Sequence, residues 1–157
     1  MKNGYPSISV KNVKKINGHD GQGFSASVYI GGLRVGTAKD DGWGGPLQLN
    51  VPKQSMTIIN GFARTLPKDK IYNVQPDADI VISELVESAF KHKEYKRHLK
   101  NVVIWNPKAK AVYSYKAPWA KAKTQTARLE KLRTNNGKKA VILNTLPIEE
   151  AAIYFEK

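Results

Sequence analysis

The 157-residue chain contains no cysteine. That excludes disulfides, thiolate metal sites and cysteine nucleophiles together, and it fits a reducing compartment, with the cytoplasm the expected location. Long apolar runs are missing as well. No stretch approaches the roughly 20 residues of a membrane span, the first twenty residues hold no signal-like apolar core, and neither a lipidation motif nor an amphipathic anchor helix is present. No membrane partner is expected. Glycine is scarce in the back half, where Gly137 is the only one of 12 beyond Gly61. The most informative scarcity is of acid: from Lys91 to Lys139 only Glu94 and Glu130 stand against 15 Lys and Arg. The rest of the chain balances 11 basic against 11 acidic residues, so the whole net charge of +13 resides in that window.

What is present divides in the same way. Phe24-Ser25-Ala26-Ser27-Val28-Tyr29-Ile30 alternates as a strand with Phe24, Ala26, Val28 and Ile30 on one face. Gly31-Gly32 then predicts a two-residue hairpin turn, because primed turns need the positive φ that glycine adopts without steric cost. With a weaker strand at 7–13, a return strand at 33–38 and a further one at 47–51, residues 7–51 read as an antiparallel meander. A short helix is expected over 55–66. From Asp77 the period changes: Ile82, Leu85, Val86, Ala89 and Phe90 fall on one helical stripe, and Lys93, Lys96, Arg97 and Lys100 continue it. The pattern predicts a helix that begins on the core and ends as a projecting cationic rod. Strands at 101–105 and 111–116, a helix from Pro118 to about Thr134, a buried strand at 140–143 and a closing helix to Phe155 complete the order. The fold class is α+β, an N-terminal β-meander followed by an α-β-β-α-β-α region, in a single compact domain with lobes at 1–66 and 77–157.

A concentrated positive segment points to a polyanion. Phe90, Tyr95, Trp105, Tyr113, Tyr115 and Trp119 lie among or beside the cations, the mixture that nucleic acid asks for: cations neutralise phosphates and aromatic faces stack on bases. Aromatics at helical or strand spacing also serve as core. The nominated contacts are Lys93, Lys96, Arg97 and Lys100 on the helix, Lys108 and Lys110 at the following turn, and Lys121, Lys123, Arg128 and Lys131 beyond it. Only three of the 15 cations are arginine, which favours diffuse phosphate contact over bidentate base reading and hence weak sequence specificity. Double-stranded-RNA-binding modules carry a third strand before their second helix, which this order lacks, and no RNP1 motif, zinc-finger spacing or leucine-zipper heptad occurs.

The loops at 18–23 and 39–46 are rich in glycine and acid. Antiparallel pairing about Gly31-Gly32 brings residue 24 beside residue 39, so both loops should share one end of the meander. His19, Asp20, Asp40 and Asp41 are then candidate ligands and base for a Mg²⁺- or Mn²⁺-dependent phosphodiesterase. Turn chemistry accounts for Asp-Gly and Asp-Asp-Gly more simply. Trp43, between glycines, is either a lid on the meander or a contact anchor. His92 and His98 are six residues apart and do not share a helix face.

Three function classes follow. The leading one is a non-enzymatic nucleic-acid-binding protein that uses no cofactor. A small interaction or inhibitor protein gripping an acidic partner, of the kind found among phage and mobile-element accessory proteins, would use the same charge. The metal phosphodiesterase is the third.

Overall fold

The computed structural model describes residues 4–19, 21–69, 71, 73–137 and 139–156. They form a mixed α+β chain in two compact units, Met1–Phe90 and Lys91–Lys157.

The first unit is built on the meander. Strands β1 (Ile8–Asn17), β2 (Gln22–Ile30), β3 (Leu33–Asp40) and β4 (Gln48–Asn50) pair antiparallel in chain order. The alternation of β2 does what it predicts: Phe24, Ala26, Val28 and Ile30 are all buried, against Ile59 and Ala63 of α1 (Lys53–Ala63) and Val81, Ile82 and Val86 of α2 (Ala78–His98). Gly31 and Gly32 take φ of 59° and 85°, the primed turn that suits the strand twist. The register differs from simple counting by one residue. An irregularity between Val28 and Tyr29 leaves Val35 unopposed, so Phe24 pairs with Asp40 and not with Lys39. A second bulge lies between Lys11 and Lys14 on the edge strand β1, where Asn12 has a φ of 54°. Bulge and lysines together discourage edge-to-edge pairing.

Helix α2 starts where its acids are. The Asp77 carboxylate accepts the Ile80 N–H at 3.0 Å, satisfying one donor that the first turn leaves free. Asn60 Oδ1 accepts the Ala78 N–H at 3.0 Å and ties that end to α1. Burial, and then the charge of Asp77, push the Asp79 carboxyl above its ordinary range.

In the second unit, β5 (Asn101–Asn106) is the centre of an antiparallel sheet of order β6-β5-β7, with β6 (Ala111–Pro118) and β7 (Val141–Ile142) beside it. Val102, Val103, Ile104 and Trp105 are buried, as an unbroken apolar run in a central strand should be. Val102 and Ile104 face Ala122 and Leu129, on α3 (Trp119–Ala122) and α4 (Thr126–Asn135). Val103 and Trp105 face Ala151 on α5 (Ile148–Phe155), with Leu99, Tyr154 and Phe155 around them. The sheet is therefore sandwiched between helices.

The single helix expected over 118–134 is two. Pro118 ends β6 with extended ψ, and after one turn Thr124 Oγ1 donates to the Lys121 carbonyl while Gln125 N–H donates to that of Ala122. Local bonds of this kind compete with helix propagation, and α4 restarts from Gln125 at a non-helical ψ of 65°. Leu129 and Leu132 still reach the same cluster as Trp119 and Ala122.

Candidate nucleic-acid interface

The boundary between the compact units falls at the boundary of charge. Lys91–Lys157 holds 16 Lys and Arg against five acids, a net of +11, whereas Met1–Phe90 holds ten against eight.

All ten nominated cations are exposed. Lys93, Lys96, Arg97 and Lys100 recur at helical spacing and share one side of the end of α2 and the turn that follows it. The end of α2 is not a free rod. Tyr95, on the side away from the cations, is buried and stacks on Phe155 with ring centroids 4.6 Å apart, and Leu99 joins the cluster under α5. Tyr95 Oη donates to Glu156 Oε1 at 3.3 Å, and burial, followed by the Glu156 charge and this bond, holds its hydroxyl above the usual tyrosine range. The cationic stripe thus stands on an anchored helix, and its geometry is preset.

The Trp119 N–H donates to the Lys100 carbonyl at 2.8 Å, which seats the start of α3, and with it Lys121, next to the end of the stripe. Lys108 and Lys110 are elsewhere. They lie in the β5–β6 turn, where Asn106 Oδ1 accepts the N–H groups of Lys108 and Ala109, at the opposite end of a six-residue strand about 20 Å long. Lys123, Arg128 and Lys131 belong to the α3–α4 layer, on the other face of the sheet from α5. The exposed Lys116 on β6 and Lys139 after α4 extend the set, and the charge run itself could have nominated them.

The two acids of the segment are engaged locally. Glu94 Oε1 lies 3.6 Å from Arg97 and 3.8 Å from His98, and Glu130 Oε2 accepts Arg133 Nε and Nη2 at 3.0 and 2.8 Å. Arg128 reaches Gln125 at 3.3 Å. Among the six interleaved aromatics only Tyr113, at 44% exposure, is open to solvent.

The two loops of the meander do meet. Gly18 and Gly23 lie so close to the 40–42 backbone that a Cβ on either would collide with a carbonyl oxygen, of Gly42 and Asp40 respectively. The rings of His19 and Trp43 stack 5.5 Å apart at an interplanar angle of 21°, and Trp43 remains 62% exposed. Trp43 is thus no lid on the core. Asp40 Oδ1 accepts the Gly42 N–H at 2.8 Å and Asp41 Oδ1 accepts the Trp43 N–H at 3.0 Å, the two-residue bonds of aspartate turns. Asp20 lies outside the described residues. Among the described residues no group of three or more His, Asp or Glu side chains is placed to hold a metal ion, and no helix is long and apolar enough to cross a membrane.

Compared with protein-family models, curated proteins and solved structures, the chain matches none.

Proposed function

We propose that the protein binds nucleic acid with weak sequence specificity, through phosphate contacts made by the 91–139 segment, and catalyses no reaction there. The observation that carries this reading is the coincidence of charge with architecture: one compact unit of 67 residues bears +11 while its neighbour in the chain is near balance. A surface that is merely solvated mixes signs for mutual screening. Here the two acids inside the basic run are spent on adjacent Arg and His side chains, and the lysines of the α2 stripe extend into solvent from an anchored helix. Only three of the 15 cations in the run are arginine, and this lysine dominance favours a sequence-tolerant phosphate contact over bidentate base recognition.

Fluorescence anisotropy of a labelled oligonucleotide across a salt series tests this. Binding should weaken linearly in log–log form, with a slope of about −0.9 per phosphate neutralised on duplex DNA and about −0.7 on a single strand. Replacing Lys93, Lys96, Arg97 and Lys100 by Gln should flatten the duplex slope by up to about 3.6, four times that increment. A salt-insensitive interaction would rule phosphate recognition out. With no nucleic acid bound at all, the same charges are left to an acidic protein partner, and loss of substrate that EDTA abolishes would restore the phosphodiesterase.

A further inference from the structure

We infer that the basic unit selects a nucleic-acid duplex over a single strand; this rests on the nucleic-acid reading above and names the form of its ligand. Sequence-tolerant recognition of single strands depends on aromatic faces on which successive bases stack, each changing affinity by roughly 5- to 160-fold. In this unit every aromatic other than Tyr113 is buried or half-buried. Tyr95 and Trp105 are each only 8% exposed, the first stacked on Phe155 and the second 5.7 Å from the Tyr154 ring. Tyr115 takes a hydrogen bond from Asn136 Nδ2, and Trp119 packs into the cluster under α3 and α4. Tyr113 alone of this group offers an open face, and one ring is not a platform for consecutive bases.

The density of cations points the same way. From Lys93 to Lys100 the stripe covers seven residue steps, about 10.5 Å at the helical rise. Duplex DNA presents about six phosphates over that length, at one per about 1.7 Å, and one of its strands about three. Four cations outnumber the phosphates of one strand and are outnumbered by those of two.

The test uses the full chain and four labelled probes of about 20 nucleotides per strand, a DNA duplex, an RNA duplex and one strand of each, between about 50 and 200 mM salt. At least one duplex should bind roughly tenfold or more tightly than its own strand, and Tyr113→Ala should change duplex affinity by less than about twofold. The two duplex arms show whether the deoxyribose or the ribose form is taken. Single strands that bind within about threefold of their duplexes, or more tightly with a tenfold loss in Tyr113→Ala, would overturn the preference while leaving nucleic-acid binding in place. Failure of all four probes would overturn both.

Discussion

Asn144 should be the most costly polar side chain to remove from the basic unit. Strand β7 pairs with β5 for two residues only, at Ile104 and Trp105, before the chain turns into the 3-10 segment Leu143–Thr145. Beyond that point the side-chain amide of Asn144 takes the place of a paired strand: Oδ1 accepts the Val103 N–H at 2.7 Å, and Nδ2 donates to the carbonyls of Leu99 and Asn101 at 2.8 and 2.7 Å. One amide therefore completes the inner edge of β5 and fastens the residue that follows α2 to the sheet. At about 1 kcal/mol net per hydrogen bond, Asn144→Ala loses about 3 kcal/mol, with a range of about 2–4 depending on how far water reaches the vacated groups. Asn144→Asp keeps the shape and the acceptor but turns an oxygen toward two carbonyl oxygens. It should be at least as destabilising as alanine.

Urea unfolding followed by tryptophan fluorescence reads this, since Trp105 lies in the cluster that Asn144 borders. With a slope of about 1–3 kcal/mol per molar urea, a 3 kcal/mol loss moves the midpoint down by about 1–3 M. Amide exchange at Val103 should accelerate in parallel. If both variants unfold within about 0.5 kcal/mol of the parent, the range of an unremarkable surface change, the amide is not acting as a strand and the account of β5 is wrong.

Gly23→Ala would drive a methyl group into the Asp40 carbonyl; overpacking of this kind costs about 1–3 kcal/mol, and the fluorescence of Trp43 should change as its stack on His19 opens. Asp40→Asn with Asp41→Asn retains oxygens that can accept the Gly42 and Trp43 N–H groups, so stability and oligonucleotide affinity should stay within about twofold of the parent; abolished activity in a folded double variant would place chemistry at this rim. Tyr95 gives a pH dependence. Its hydroxyl holds a proton more tightly in the folded chain than in the unfolded one, so the associated stability is intact below the unfolded value of about 10 and is lost as pH rises from there through the folded value. Urea midpoints should decline over that window in the parent and decline less in Tyr95→Phe.

Local signals carried the first unit. The alternation of β2, the Gly31-Gly32 turn and the acids opening α2 each have a sequence-local cause, and the strand order and loop juxtaposition follow from them. The one-residue register shift does not, because a bulge at Val35 is set by how β3 lies against its neighbours and no residue type there announces it. In the second unit the buried run of β5 was legible, whereas the break between α3 and α4 turns on two hydrogen bonds at Lys121 and Ala122 within a composition that suits a helix. Asn144 left no signal. An asparagine near a helix boundary usually reads as a cap or turn residue, and only the early end of β7 gives it three backbone partners. The charge of the candidate interface was fully visible, but the aromatics among the cations were not assignable, since strand and helical spacing place a ring on a face without saying what covers it.

The burial of Tyr95 and Trp105, and the half-burial of Tyr115 and Trp119, answer a need that the charge sharpens. A unit of 67 residues is near the size at which one core barely holds a fold together, and +11 adds self-repulsion that opposes compaction. Large rings remove the most water-exposed apolar surface per residue, so a small and highly charged unit has the strongest need for them inside. The pairs Tyr95–Phe155 and Trp105–Tyr154, like the hydrogen bond from Asn136 to Tyr115, lock that core on both faces of β5. Cations cannot share this task because isolated charge is too costly to bury, so they remain outside on anchored elements. The division of labour thus leaves a surface rich in point charges and poor in stacking faces, and it is on this ground that the proposed ligand is one whose outermost groups are phosphates and whose bases are already stacked on each other.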